Sequence, residues 1–128
     1  MRQPIVIADD SPTILRLLGM ALGKAGFEVV SAVDGEEALA RIRERLPAIV
    51  LLDGEMPRRD GYDVARAVRA DPDVRPQPRI LMLTAGGQPA DAERARAAGV
   101  DEFLTKPFSP RQLVARLNEI MAEIEAQA

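Results

Sequence analysis

Short apolar runs alternate with amphipathic stretches along the whole chain. The clearest run is Ile49-Val50-Leu51-Leu52, which passes without a polar break into Asp53 and is closed by Gly54 and Pro57. A continuous apolar run of this length, bounded by glycine and proline, predicts a strand buried on both faces, as in a parallel sheet. Residues 5–8, 27–32, 48–53, 79–84 and 100–105 read as five such strands. Between them apolar residues recur at helical spacing. Ser11-Pro12 predicts a helix start, with a capping side chain and proline in the first turn. Ile14, Leu18, Ala21, Leu22 and Ala25 form the apolar stripe, and Gly26 stops it. Asp34 caps a second helix over 35–46, with Ala38, Leu39, Ile42 and Leu46 inward and Pro47 at its end. A third spans 62–70 with Val64, Ala65 and Val68 inward. A fourth, weakly apolar and rich in Ala and Arg, spans roughly 90–98. The last runs from Ser109-Pro110 toward Ala128.

Strand followed by helix, five times over, predicts a parallel sheet with helices on both faces. Right-handed crossovers leave few topologies. No repeat and no domain boundary interrupts the pattern, so 1–128 reads as a single domain, with 120–128 as an extended helix or linker.

Composition narrows the chemistry. The 128 residues suit one core, and 47% apolar content can fill it, mostly with aliphatic residues because aromatics are only 3%. There is no cysteine and no histidine, which removes disulfides, thiolate and imidazole metal sites, and acid–base work by imidazole. The net charge of −3 argues against a nucleic-acid surface. No apolar run approaches the ~20 residues that span a bilayer, and Met1-Arg2-Gln3-Pro4 leads into a strand with no signal-like segment. These features predict a soluble cytoplasmic protein without membrane contact.

In a parallel sheet all carboxyl ends lie at one edge, where open α/β sheets carry their chemistry. That edge collects Asp9 and Asp10 after the first strand, Asp53 after the third, Thr84 after the fourth and Lys106 after the fifth. Singly, each has an ordinary reading: a solvated helix start, a strand end, a strand threonine, a surface lysine. Together, they would need five coincidences at one edge. Three carboxylates there repel one another unless positive charge sits among them. Lys106 supplies one charge, and a hard divalent cation such as Mg²⁺ (or Mn²⁺) suits the remainder. The set suggests phosphoryl transfer onto Asp53 as carboxylate nucleophile, with Lys106 and metal as clamps and Thr84 as a hydrogen-bond donor.

These residues resemble the receiver domain of two-component response regulators over the whole chain. The resemblance rests on Asp9-Asp10, on Leu51-Leu52-Asp53 with Met56-Pro57 and Asp60-Gly61, on Thr84-Ala85, and on Lys106-Pro107-Phe108. It implies a flavodoxin-like, doubly wound five-stranded sheet of order 2-1-3-4-5, the order known for a chemotaxis member of this family. It implies Asp53 as phosphoacceptor from a phosphohistidine of a sensor histidine kinase or phosphotransfer protein. Asp9 and Asp10, with Asp53 and the main-chain carbonyl of Glu55, would hold Mg²⁺. Lys106 would contact the phosphoryl group, and Lys106-Pro107 is a candidate cis peptide. Thr84 and Phe103 would be the switch pair, Phe103 lacking the hydroxyl of the tyrosine common there. Gly54, Glu55, Ala85 and Gly86 stand where family members tune the phosphoryl lifetime. Glu55 could pair with a cation or steer water, and Gly54 predicts more open access. The domain accepts rather than supplies the phosphohistidine and catalyses only its own phosphorylation and dephosphorylation.

Rival classes fail on residues. A flavodoxin-like carrier needs a Ser/Thr/Gly-rich phosphate loop where Asp9-Asp10 stands, and aromatic residues for the flavin. A dehalogenase-type phosphatase usually carries a second aspartate where Glu55 stands. A dead interaction module would not keep the full set. The arginines Arg58, Arg59 and those of 90–98 read as solvated faces. For output, Leu113, Leu117, Ile120 and Ile124 are spaced as in a heptad seam, of which Leu113 and Leu117 are expected on the sheet. The tail resembles winged-helix transcription-factor receivers, which dimerise through the fourth helix, fifth strand and fifth helix. Arg116 could pair with Glu102 or Asp101, whereas Gln112 and Glu123 depart from that subfamily's charges. Either the domain docks on a downstream protein target, or it is the receiver of a longer regulator with its own output domain.

Overall fold

The computed structural model describes residues 4–84, 89–106 and 108–127. The elements follow in strict alternation: β1 (Ile5–Ala8), α1 (Pro12–Lys24), β2 (Val29–Ala32), α2 (Gly35–Arg45), β3 (Ile49–Asp53), α3 (Gly61–Ala70), β4 (Arg79–Thr84), α4 (Pro89–Ala97), β5 (Glu102–Thr105) and α5 (Pro110–Gln127). All strand pairs are parallel and the order is β2-β1-β3-β4-β5, the doubly wound sheet expected from the sequence.

The strands read as unbroken apolar runs because each feeds two cores. Successive side chains point to opposite faces. Val6, Val50, Leu52, Ile80 and Met82 pack with α2, α3 and Ala95 of α4. Ile5, Ile7, Ile49, Leu51, Leu81 and Leu83 pack with Leu18 and Leu22 of α1 and with Leu113, Leu117, Ile120 and Met121 of α5. Ile124 is half-buried against that second cluster.

Two helix starts lie where the caps were expected: Ser11 and Asp34 accept from the Ile14 and Glu37 amides of the first turn, and Asp60, which the sequence reading left in the loop, likewise accepts from the Asp63 amide. Several ends differ from the sequence reading, for local reasons. The β2 run is shorter than 27–32 because Phe27 belongs to the stop of α1. With Gly26 at φ +92°, the Phe27 amide donates back to the Leu22 carbonyl, and its ring is buried. The second helix ends at Arg45, because Leu46 precedes Pro47 and takes a left-handed conformation, φ 46°. Val100 and Asp101 are not in β5. The Asp101 amide donates to the Ile80 carbonyl, and the Asp101 carboxylate accepts from the Ile80 amide at 2.8 Å.

Candidate phosphoacceptor site

Register assembles the site. Ala8 pairs with Leu52, so the next residues, Asp9 and Asp53, leave the sheet side by side. Thr84 pairs with Thr105, which brings Lys106 level with the same edge, and the Lys106 amide donates to the Thr84 carbonyl at 2.7 Å. Asp9, Asp10 and Asp53 each offer a carboxylate oxygen, and the three oxygens lie within 4.8 Å of one another. Asp9 and Asp53 are buried and Asp10 is exposed. Lys106 Nζ lies 3.2 Å from Asp9 Oδ2 and 3.6 Å from Asp53 Oδ1.

Main-chain donors hold both buried carboxylates. Asp9 Oδ1 accepts from the Ser11 amide at 2.9 Å, and Asp53 Oδ1 from the Glu55 amide at 3.2 Å. Burial nevertheless pushes the Asp53 carboxyl up to about 6. The Glu55 amide opposes the shift, Asp9 adds to it, Lys106 opposes it and Asp10 adds to it. One ammonium is thus too little charge for three carboxylates. The donor set is all oxygen, and it suits a hard divalent cation.

Gly61 anchors the loop after Asp53 from below. A Cβ there would meet the Asp53 carbonyl oxygen at 2.4 Å, and the Gly61 amide donates to the Gly54 carbonyl at 3.2 Å. Gly54 is buried and lines a cavity beside the site, and a Cβ on it would lie 3.3 Å from Thr84 Oγ1. The Glu55 side chain is exposed. Phe103 is half-buried against the α2–α3–α4 cluster. Ala85, Gly86 and Pro107, and with Pro107 the expected cis bond, lie outside the described residues. Arg75-Pro76 is cis.

The arginines read as solvated faces are partly engaged. Arg58 lies 3.5 Å from Asp34 and Arg59 3.3 Å from Glu36, both against the start of α2. Arg94 of α4 stacks over the Tyr62 ring, 3.9 Å from its centroid, and reaches Asp60 Oδ2 at 3.2 Å. Only the i,i+3 or i,i+4 reach within one helix is legible in sequence, and these pairs cross elements.

The family model described as "Response regulator receiver domain" matches residues 5–118. The chain belongs to this family. Among curated relatives, "Probable transcriptional regulator ycf27" of Guillardia theta is 40% identical over 94% of this chain and 46% of its own length. "DNA-binding response regulator MtrA" of Mycolicibacterium smegmatis is also 40% identical, over 91% of this chain and 50% of its own. The receiver spans about half the length of the curated relatives it matches. Chemotaxis protein CheY4 of Vibrio cholerae superposes with TM-score 0.86 and 32% identity, covering 94% of this chain and 99% of that one. A CheY-like receiver domain protein from Methanospirillum hungatei JF-1 gives 0.90 and 26%, with full coverage of both chains. This is a receiver of two-component systems, a signalling domain, and of the regulators it resembles in sequence one is named a probable transcriptional regulator and another a DNA-binding response regulator. No helix among the described residues is long and apolar enough to cross a membrane.

Proposed function

We propose that this receiver takes a phosphoryl group onto Asp53 from a phosphohistidine of a sensor histidine kinase or phosphotransfer protein. The observation that carries this is the pairing of a buried carboxylate at the end of β3 with an ammonium 3.6 Å away, amid two further aspartates. An Asp53 carboxylate oxygen forms the new P–O bond. The P–N bond breaks, its electron pair stays on the imidazole nitrogen, and that nitrogen takes a proton. Lys106 neutralises charge on the equatorial oxygens, and the Thr84 hydroxyl donates to one of them. Asp9, Asp10, Asp53 and the Glu55 carbonyl would hold Mg²⁺, or Mn²⁺ in its place, and the ion would supply positive charge to offset that of the carboxylates and the phosphoryl group. Dephosphorylation is the attack of water on the same acyl phosphate, and Glu55 and the sequence positions Ala85 and Gly86 tune its rate. Thr84 and Phe103 carry the change to the α4–β5–α5 surface. The protein works in the cytoplasm as one receiver unit with an extended last helix.

Intact mass after incubation with Mg²⁺ and acetyl phosphate tests the reading. One phosphoryl group should be gained by the wild type and none by Asp53→Asn. A wild type that gains no mass with any small donor or kinase overturns it.

Two routes to output follow. The switched surface docks on a separate protein target or on a second copy. Alternatively, the receiver belongs to a longer regulator whose other half contacts DNA, a reading favoured by its span of about half its relatives' length. In neither route does the receiver itself touch nucleic acid. Light scattering with and without phosphorylation distinguishes a dimer from a docking monomer.

A further inference from the structure

A cavity of about 400 Å³ lies beside the phosphoacceptor, and its walls include Glu55, Asp60, Tyr62, Thr84, Asp91 and Arg94. Arg94 crosses it. The guanidinium lies on the Tyr62 ring and Nη2 meets Asp60 Oδ2. We propose that Arg94 is a positioning residue that latches α4 onto the loop between β3 and α3 in the unphosphorylated receiver, and so sets how readily Thr84 reaches Asp53. This rests on the reading of Asp53 as phosphoacceptor and Thr84 as its switch.

The two ends of the latch differ in rigidity. Asp60 is fixed. Its Oδ1 caps α3 by accepting from the Asp63 amide at 2.9 Å, and the next residue, Gly61, is pressed on the Asp53 carbonyl. Tyr62 is buried. The α4 end is loosely held. Among the described residues of α4 and the turn after it, Ala95, Ala98 and Val100 are the ones buried in the core, two of them alanines with little apolar area to hold the helix down. A stacked ion pair is therefore a large share of what docks this helix. The first residue of α4, Pro89, is five positions after Thr84 in the chain. In this proposal a shift of Thr84 toward Asp53 carries α4 with it and works against the Arg94 contacts. A contact made in the resting arrangement and lost in the phosphorylation-competent one lowers the population of the latter, and its removal raises that population and with it the rate of phosphorylation.

Three variants test this. Arg94→Ala removes both contacts. Asp60→Asn weakens the ion pair while its side-chain oxygen still caps α3. Arg94→Lys keeps the charge without the planar stack. Hydrogen exchange of the 92–98 amides is measured without phosphodonor, with β1 amides as the gauge of global stability. Phosphorylation by acetyl phosphate with Mg²⁺ is followed by intact mass. Arg94→Ala should speed both exchange in α4 and initial phosphorylation by about fivefold, the worth of an exposed ion pair plus a cation–π contact. Asp60→Asn should give a smaller gain in the same direction, and Arg94→Lys should fall between wild type and Arg94→Ala. Unchanged or slower phosphorylation in Arg94→Ala overturns the proposal, even if α4 exchanges faster. Equal acceleration at β1 assigns the effect to global stability and overturns it too. A wild type that gains no mass overturns the phosphoacceptor reading and the latch with it. That failure is told apart from a failed latch alone, in which the wild type is phosphorylated and Arg94→Ala matches it in rate.

Discussion

Asp53 is held at a cost. Its folded-state pKa of about 6 stands above the ordinary 3.8, chiefly through burial. A carboxyl raised in this way binds its proton more tightly in the native state than in the unfolded chain. Its contribution to stability is therefore fully present below pH 3.8 and is lost as pH rises to about 6. Asp53→Asn removes that penalty. Without Mg²⁺ at neutral pH, the variant should melt higher than the wild type by roughly 4 °C, on the order of 1 kcal/mol once solvent screening is allowed for. The gap should close as pH falls below the ordinary carboxylate range. Melting curves in chelator across that window check the sign, and a gap that widens toward acid contradicts it. Lys106 is the complementary residue, with Nζ within 3.2 and 3.6 Å of two carboxylates. Lys106→Ala should lower the initial rate of phosphorylation by acetyl phosphate at least about tenfold, the scale of losing one preorganised charge at a reacting group. A wild-type rate in that variant would remove Lys106 from the chemistry.

Elements differ in how firmly they are fixed. The start of α3 is set by contact: Gly61→Ala would drive a methyl to 2.4 Å from the Asp53 carbonyl oxygen. The variant should lose about 1–3 kcal/mol in urea unfolding, the range for overpacking a filled site. Along α5, depth of burial grades the cost. Leu117 is fully buried and Ile124 only half so. Leu117→Ala should cost about 2–5 kcal/mol and Ile124→Ala distinctly less, because the partly exposed site loses less transfer energy and leaves less cavity. Equal losses would mean that the last turn of α5 is as much core as its middle. Arg116 and Glu123 of α5 are paired within the chain. Arg116 Nε donates to Glu102 Oε1 at 2.8 Å, and Glu123 accepts from Arg79 at 2.6 Å. Of the two partners expected for Arg116, Glu102 is the one that takes it. Asp101 instead bonds Arg69 at 2.8 Å and the Ile80 amide. Arg69 also reaches the Gly99 carbonyl at 2.9 Å, tying the end of α3 to the turn before β5.

At the scale of the molecule, three carboxylates from two strands and a lysine from a third share one edge, so a cation bound there would be coupled to folding. Mg²⁺ should raise the melting temperature of the wild type in proportion to the logarithm of its concentration once above saturation, and much less in Asp10→Asn. Equal shifts in both would place the ion elsewhere. Much of this architecture is legible along the chain because its causes are local. Strand runs, helical stripes and the caps Ser11 and Asp34 depend on neighbours within a few residues. The residues at the strand ends became a site once a parallel sheet was inferred, because parallel strands finish at a common edge. What the sequence could not contain is distance across elements. Parallel register set Asp9 beside Asp53 and Lys106 beside Thr84. Packing decided that Gly54 lies close to Thr84, and that Gly61 touches the back of Asp53. The docking of α4 turned Arg94 from one arginine among several on a polar helix into a bridge to Asp60 and Tyr62. Local propensity and pattern select elements and their order, but side-chain contact between elements is fixed only when the sheet and its helices close on one another.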